Sequence, residues 1–209
     1  AGDADTLAFQ SNEAGGLTVA DMDSSAVLDI EGFETLTLGT NEDGAALDLA
    51  GTLRTDATTL NVGSDNAGDI TVSTLDTNVT ITSLNVDSAM GAVALEDLGT
   101  ASALEAITVD TGDATNADAT TIGAGTTAAL TSVTASGAGD FEITDLAAST
   151  LGSIDAAAVG GDVTIGDAAG GLTLASGAAI VTGEGDDTIT MEDGNILTLD
   201  AGEASGDAD

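Results

Sequence analysis

An acidic stretch near the C-terminus carries the residues best suited to chemistry. Residues 182–194 read TGEGDDTITMEDG and place five carboxylates around the apolar side chains of Ile189 and Met191. No Lys or Arg lies within the stretch, so no internal base neutralises these carboxylates. A turn rich in oxygen atoms suits calcium, a hard cation that takes about six to eight oxygen ligands. The alternative interpretation is a solvated acidic turn.

The first nine residues of this stretch match the calcium-binding nonapeptide pattern G-G-x-G-x-D-x-U-x, in which U is a large apolar residue. Threonine replaces the first glycine, Gly183 and Gly185 occupy the other two glycine positions, and Asp187 occupies the aspartate position. Glycines permit a tight turn and expose backbone carbonyls, and Ile189 is expected to anchor the turn in the core. We therefore predict that Asp187 is a calcium ligand, with Gly183, Gly185 and Asp186 belonging to the same site.

A second turn must complete such a site, because one turn supplies only part of the coordination shell of calcium. Two other segments offer carboxylates: GDAD at residues 206–209 contains Asp207 and Asp209, and GDADTLAF at residues 2–9 contains Asp3 and Asp5. We predict these four aspartates as further calcium ligands. The other turn acids are interpreted as solvated residues of Asp-Gly turns. They are Asp65, Asp69, Asp110, Asp113, Asp140, Asp162, Asp167, Glu192 and Asp193.

The residue types that are missing exclude most enzyme chemistry. The 209 residues include 37 acidic residues and one basic residue, Arg54, for a formal net charge of −36, and His, Cys, Pro, Trp and Tyr are absent. No Ser–His–Asp triad or zinc site with His or Cys ligands can be built. A carboxylate pair for glycoside hydrolysis is the one catalytic possibility. Because aromatic and basic residues to hold a sugar are scarce, we predict that the chain is not an enzyme.

The charge also limits the partners of the chain. Phosphate binding needs clustered Lys and Arg, so nucleic acid is excluded as a partner, and an anionic membrane surface would repel the chain. No apolar run is long enough for a transmembrane helix, so membrane insertion is not expected. The hydrophobic fraction of 42% nevertheless predicts a folded protein.

Short apolar pulses repeat along the chain and indicate the elements that position these residues. Within each pulse, apolar residues alternate with Thr, Asn, Asp or Ser, as in a strand with one buried face. Turn-forming Gly, Asp, Asn and Ser lie between the pulses. A first series recurs at a nearly fixed spacing and is led by Leu36, Leu60, Leu84, Ile107, Val133 and Ile154. A second series is led by Leu47, Ile70, Val93, Phe141 and Val163.

This periodicity predicts an all-β fold, an irregular parallel β-solenoid with about 21–26 residues per coil. The solenoid is expected over residues 1–181 and the calcium-binding turn segment over residues 182–209, continuous with it. An antiparallel β-sandwich with regular turns is the competing architecture.

The motifs GEGDDTI, SGDAD, GDADTLAF and EGFETLTL together resemble the calcium-binding RTX-type surface-layer (S-layer) proteins of Gram-negative bacteria and the related giant RTX adhesins. The resemblance implies type I secretion to the cell surface, calcium-dependent folding, and assembly into an array or filament. The chain departs from those proteins in having one nonapeptide rather than a tandem run.

Three functions follow from these observations. The first is a structural, calcium-dependent module of an extracellular surface assembly, which associates with its own copies through calcium-bridged acidic surfaces and is one unit of a tandem or head-to-tail array. The second is an extender or ligand-binding segment of a secreted RTX adhesin. The third and most remote is a carboxylate-based glycoside hydrolase.

Overall fold

The computed structural model describes residues 5–11, 17–18, 27–40, 46–64, 68–75, 80–89, 91–113, 119–148, 150–166, 172–191 and 198–201. Within these ranges the chain forms strands and no helix, so none of the described residues belongs to a helix that could cross a bilayer. The strands are β1 (Thr6–Ser11), β2 (Leu17–Thr18), β3 (Val27–Ile30), β4 (Thr35–Thr40), β5 (Leu47–Thr55), β6 (Thr59–Ser64), β7 (Ile70–Leu75), β8 (Ser83–Asp87), β9 (Val93–Gly99), β10 (Ala106–Asp110), β11 (Thr120–Thr126), β12 (Ser132–Gly137), β13 (Phe141–Ile143), β14 (Leu146–Ala147), β15 (Ser153–Val159), β16 (Val163–Ile165), β17 (Ala179–Thr182), β18 (Thr188–Ile189) and β19 (Thr198–Ala201).

The strands form two parallel sheets, and the chain passes from one sheet to the other and back in each coil. The nine-stranded sheet has the order β1-β4-β6-β8-β10-β12-β15-β17-β19, and the ten-stranded sheet follows the path β18-β16-β13-β11-β9-β7-β5-β2, with β14 beside β11 and β3 beside β5. Each strand therefore pairs with the equivalent strand of the next coil. This arrangement confirms the predicted all-β parallel β-solenoid, and the antiparallel sandwich is wrong.

The register of the nine-stranded sheet follows the first apolar series. Leu36 pairs with Leu60, and Leu60 pairs with Leu84, and the series continues through Ile107, Val133 and Ile154. A slip of one residue would turn every apolar side chain toward solvent, so the buried face specifies this register.

The coils at the two ends of the solenoid differ in length from the central ones. The first coil, in which Thr6 pairs with Thr35, is longer than any coil of the first apolar series. The last, in which Ala179 pairs with Thr198, is shorter than any of them. The predicted coil length therefore describes the central coils but not the two ends.

The core is a narrow column between the two sheets, filled mainly by aliphatic side chains. The leading residues of both series are at most 1% exposed, including Leu36, Leu60, Ile70 and Val93. A further buried residue lies two positions before several strands of the nine-stranded sheet, and these residues are Ala57, Ile81, Leu104, Leu130 and Leu151. Phe141 is the largest fully buried side chain in the described ranges.

The second apolar series is interrupted by one polar residue. The predicted series passes from Val93 to Phe141, and the structure places Thr120 between them, because Thr120 pairs with Phe141 and Thr121 pairs with Ala94. Thr120 is fully buried, and its hydroxyl donates a hydrogen bond of 2.7 Å to the hydroxyl of Ser88. This bond lets a hydroxyl replace an aliphatic group in the core without remaining unpaired.

Candidate metal site

The acidic turn that connects β17 to β18 lies directly on the turn of the preceding coil. A Cβ atom added at Gly183 would lie 1.9 Å from the carbonyl oxygen of Val159 and 3.0 Å from that of Ala156. Gly183 is therefore required for close approach of two backbones, and not for an unusual backbone dihedral. The sequence predicted a tight turn here, and the contact between coils is the additional reason for this glycine.

Gly185 is required for a second reason. Its φ of +124° lies in a region that residues with side chains rarely adopt, and a Cβ atom there would lie 2.5 Å from the carbonyl oxygen of Gly161. The two glycines together bring the backbone of this turn against the carbonyl groups of the preceding coil.

Three hydrogen bonds join the acidic turn to the preceding coil. The backbone N–H of Glu184 donates to the carbonyl oxygen of Val159 at 3.1 Å. The N–H of Asp186 donates to Oδ1 of Asp162 at 2.8 Å, and Oδ1 of Asp187 accepts from the N–H of Val163 at 3.0 Å. The carboxylate of Asp187 thus holds the turn in place through one of its two oxygens.

The same contact recurs one coil earlier, where Oδ1 of Asp140 accepts a hydrogen bond of 2.9 Å from the N–H of Asp162. We call Asp140, Asp162 and Asp186 the aspartate stack. The sequence interpretation treated Asp140 and Asp162 as solvated turn residues and did not place them together. The signal was present in the repeated Gly–Asp endings GAGD (137–140), GGD (160–162) and GEGDD (183–187), which precede successive strands of the ten-stranded sheet.

The aspartate stack concentrates negative charge along one side of the solenoid. Equivalent residues of adjacent coils are about 4.8 Å apart. At that separation two unit charges repel by about 1 kcal/mol in water. Arg54 is the one basic residue of the chain, and it lies 3.6 Å from Asp29 on β3, which places it in an N-terminal coil. No basic side chain of this chain is therefore available to the stack.

The structure separates the sequence-predicted ligands that it describes. Asp5 is exposed at the start of β1, where its N–H donates to Oε2 of Glu34 at 2.7 Å. Six strands lie between β1 and β17 in the nine-stranded sheet, so Asp5 and Asp187 are about 34 Å apart along the axis of the solenoid. These two residues do not share an ion within one chain. Asp3, Asp207 and Asp209 lie outside the described residues.

Two of the other three described turn acids also hold backbone groups, and the third, Asp113, is exposed. Asp69 accepts from the N–H of Ala92 at 3.1 Å, and Asp110 accepts from the N–H of Gly112 at 3.0 Å. They therefore brace turns in addition to facing solvent. Four of the acids interpreted as solvated lie outside the described ranges: Asp65, Asp167, Glu192 and Asp193.

The donor chemistry of the turn fits calcium, but its described side chains do not form a complete cage. Asp186 and Asp187 supply carboxylate oxygens, and the glycines bring backbone carbonyls close, which are the ligand types that calcium takes. The hydroxyl of Thr182, directly before the turn, is buried and has no hydrogen-bond partner in the described part of the chain. Within those same ranges no three acidic, His or Cys side chains converge as metal ligands. The described side chains of the turn are therefore too few to form a calcium site by themselves.

Comparison with known proteins gives no match: no family model, no curated protein and no solved structure is similar to this chain.

Proposed function

We propose that this chain is a calcium-dependent structural module of an extracellular bacterial surface assembly, either an S-layer or a polymeric filament. The observation that carries the proposal is the aspartate stack in a chain with 37 acidic residues and one basic residue. Like charges opposite one another in neighbouring strands and turns destabilise a stack. A cation that binds between turns offsets this repulsion, so the folded rod and its contacts gain stability when the cation is present.

Calcium suits the acidic turn better than magnesium does. Calcium accepts flexible coordination by carboxylates and carbonyls, whereas magnesium demands near-octahedral geometry and keeps several waters. In the proposed site Asp187 and Asp186 supply carboxylate oxygens, and the turn shaped by Gly183 and Gly185 supplies carbonyls. The remaining ligands come from a second acidic segment.

Asp3, Asp5, Asp207 and Asp209 are the proposed source of those ligands. Asp5 lies near one end of the solenoid and the acidic turn lies near the other. An ion that joins them therefore belongs to a contact between two copies of the chain. In this proposal calcium links acidic surfaces of neighbouring copies head to tail, and the contact repeats as an array or filament. The proposed location is the cell surface, after type I secretion.

The calcium proposal is tested by titrating the metal-free chain with calcium and following far-UV circular dichroism and the melting temperature. Parallel titrations use magnesium, and sodium chloride at matched ionic strength. Extracellular calcium modules bind at about 10⁻⁴–10⁻³ M, and ligand at a hundredfold excess over Kd stabilises a fold by about 2.7 kcal/mol. We expect calcium to raise the melting temperature well beyond the effect of matched sodium chloride. An equal response to both salts indicates charge screening alone and contradicts the proposal.

A pair of variants locates the effect at the turn. Asp186→Asn with Asp187→Asn removes two charges from the site. The amide oxygen introduced at position 187 still accepts the hydrogen bond from the N–H of Val163, and the bond from the N–H of Asp186 to Asp162 is unaffected because the backbone donates it. Glu105→Gln with Asp145→Asn removes two charges from exposed residues elsewhere. The first variant should lose most of the calcium-specific stabilisation and the second should keep it. Equal calcium responses in both variants would place the bound ion outside this turn.

Assembly separates the structural module from the adhesin extender. Light scattering and negative-stain microscopy of the calcium-loaded chain should show ordered polymer, and Asp207→Asn with Asp209→Asn should reduce it. A monomeric rod in calcium supports the extender function, for which a continuous β-solenoid is equally suited. Polymer that forms equally well in the variant contradicts the role of those two residues.

A further inference from the structure

An open groove of about 440 Å³ lies on the outer face of the nine-stranded sheet. Its described lining comes from β4, β6, β8 and β10, with Ser136 of β12. The volume is within the range of small-molecule sites, about 300–1,000 Å³. The groove lies on a different part of the solenoid from the aspartate stack, so an inference about it does not depend on calcium.

The floor of the groove carries a row of neutral polar side chains, one from each coil. Nδ2 of Asn85 donates to Oδ1 of Asn61 at 2.8 Å, and Nδ2 of Asn61 donates to Oγ1 of Thr37 at 3.4 Å. Thr108 is the register partner of Asn85 in the next coil. Each Nδ2 has two N–H groups, so each amide keeps one donor beyond this row.

Two glycines in a second row keep part of the groove open. Gly39, Gly63, Asp87 and Asp110 are register partners in successive strands. A Cβ atom at Gly63 would meet only ordinary contacts, the nearest being 3.6 Å from the carbonyl oxygen of Asp87. Packing therefore does not require glycine at this position, in contrast to Gly183. Its effect is to leave the space beside Asn61 unfilled.

A ligand in this groove must be recognised by side chains. The backbone groups of the four strands already pair with one another in parallel registers, so strand addition, which needs a free sheet edge, is not available. One amide or hydroxyl side chain lies on each coil, about every 4.8 Å. Asp87 and Asp110 are exposed beside them and present carboxylate acceptors.

We propose that this groove binds a neutral polyhydroxylated chain, that is, an uncharged polysaccharide lying along the axis of the solenoid. Amide donors, hydroxyls and carboxylate acceptors are the groups that pair with sugar hydroxyls, and one amide or hydroxyl side chain per coil matches a ligand built from a repeated unit. Acidic polysaccharides are repelled by Asp87, Asp110 and the net charge of −36. A basic peptide is attracted to carboxylates over the whole surface. The neutral row at Asn61 and Asn85 adds no selectivity for such a peptide in the groove.

We expect a single groove to bind its ligand weakly, because no aromatic ring contributes to its described lining. Residue-specific NMR of the full ¹⁵N-labelled chain detects binding of this strength. The probes are maltohexaose and cellohexaose, with an oligogalacturonate and a lysine hexapeptide as charged comparisons. At least one neutral hexaose should shift the resonances of Asn61, Asn85 and Thr108, and the charged probes should not shift them selectively.

Variants of the full chain decide whether the groove is the site. Asn85→Ala should weaken binding about fivefold, as expected for one lost hydrogen bond. Gly63→Gln should abolish binding by filling the groove. Gly63→Ala is the control for any general effect of a Cβ atom, and it should still bind the hexaose. Thr71→Ala, on the ten-stranded sheet, is the control that should bind like the parent chain.

Three results would overturn the proposal. The first is the absence of selective shifts with both neutral hexaoses, and the second is binding that Gly63→Gln leaves unchanged. The third is selective binding of the lysine hexapeptide in the groove. Both hexaoses should also be recovered intact, and hydrolysis that is lost in Asp87→Asn would replace the binding assignment with a catalytic one.

Discussion

Replacing Gly183 with alanine tests whether the contact with the preceding coil holds the acidic turn in place. The added Cβ atom lies 1.9 Å from the carbonyl oxygen of Val159, whereas ordinary van der Waals contact begins at 3.4 Å. The turn or the facing coil must move apart, because the obstacle is backbone rather than a flexible side chain. That movement also breaks the bond from the N–H of Glu184 to the carbonyl oxygen of Val159.

The expected loss of stability follows from three contributions. Overpacking costs about 1–3 kcal/mol, and the lost hydrogen bond costs about 0.5–1.5 kcal/mol. Alanine restricts the unfolded chain and so returns about 0.4–1 kcal/mol. The net destabilisation of the turn is about 2 kcal/mol. Gly63→Ala is the matched control, since its Cβ atom meets only ordinary contacts and it should stabilise the chain by the unfolded-state contribution alone.

Urea denaturation and amide hydrogen exchange together measure this difference. Exchange at Glu184 and Asp186 should become about thirtyfold faster in Gly183→Ala if the turn opens locally, corresponding to about 2 kcal/mol. If the turn unfolds with the whole solenoid, the urea midpoint falls instead. The contact between the two coils is refuted if Gly183→Ala is at least as stable as Gly63→Ala and exchange at the turn is unchanged. The backbone of Gly183 would then not lie against the carbonyl oxygen of Val159.

Four further substitutions, at three positions, test buried and turn polar groups by urea denaturation. The hydroxyl of Thr111 is buried without a described partner, so Thr111→Val should stabilise the chain by about 1 kcal/mol; destabilisation would mean that a bound water satisfies the hydroxyl. Thr120→Val should instead destabilise by about 1–3 kcal/mol, because the hydroxyl of Ser88 loses its partner, and a neutral effect would contradict that bond. Asp162→Asn keeps an acceptor for the N–H of Asp186 and removes one repulsive charge, so without calcium it should be at least as stable as the parent. Asp162→Ala should be less stable than Asp162→Asn by about 1 kcal/mol, and equal stabilities would show that the hydrogen bond contributes nothing.

The strand pattern could be predicted from the sequence because it depends on short-range alternation. Residues such as Leu36, Leu60 and Leu84 begin equivalent pulses, and the buried face of a strand forces such residues into register. The same reasoning failed at Thr120, because a threonine in a threonine-rich chain carries no signal that its hydroxyl will find Ser88 inside the core. The predicted coil length was also incomplete at the two ends of the solenoid, where the first coil is longer and the last is shorter than the central ones.

The candidate site was predicted only in part. Gly183, Gly185 and Asp187 are recognisable from a local motif, and the structure places them in one turn. The partners of that turn are distant in sequence, because Asp162, in the preceding coil, accepts a hydrogen bond from the N–H of Asp186. The loops between coils have no fixed length, so sequence spacing alone does not identify such a pair. The sequence therefore identified the turn and the exposure of Asp162, but not the hydrogen bond that joins Asp162 to the turn of the next coil.

The sequence by itself favoured a parallel β-solenoid, because apolar residues alternate within the pulses and the pulses return at a nearly constant spacing. The parallel pairing of the strands in the structure then excluded the antiparallel sandwich. The sequence determined the excess of negative charge and the absence of His and Cys chemistry. Only the tertiary structure decided which polar groups meet on the surface: the aspartate stack on one side, and the row of Asn61 and Asn85 on another. The physical reason is that burial in the core sets the register of the strands. That register then determines which surface residues of adjacent coils become neighbours, and the surface residues themselves do not set it.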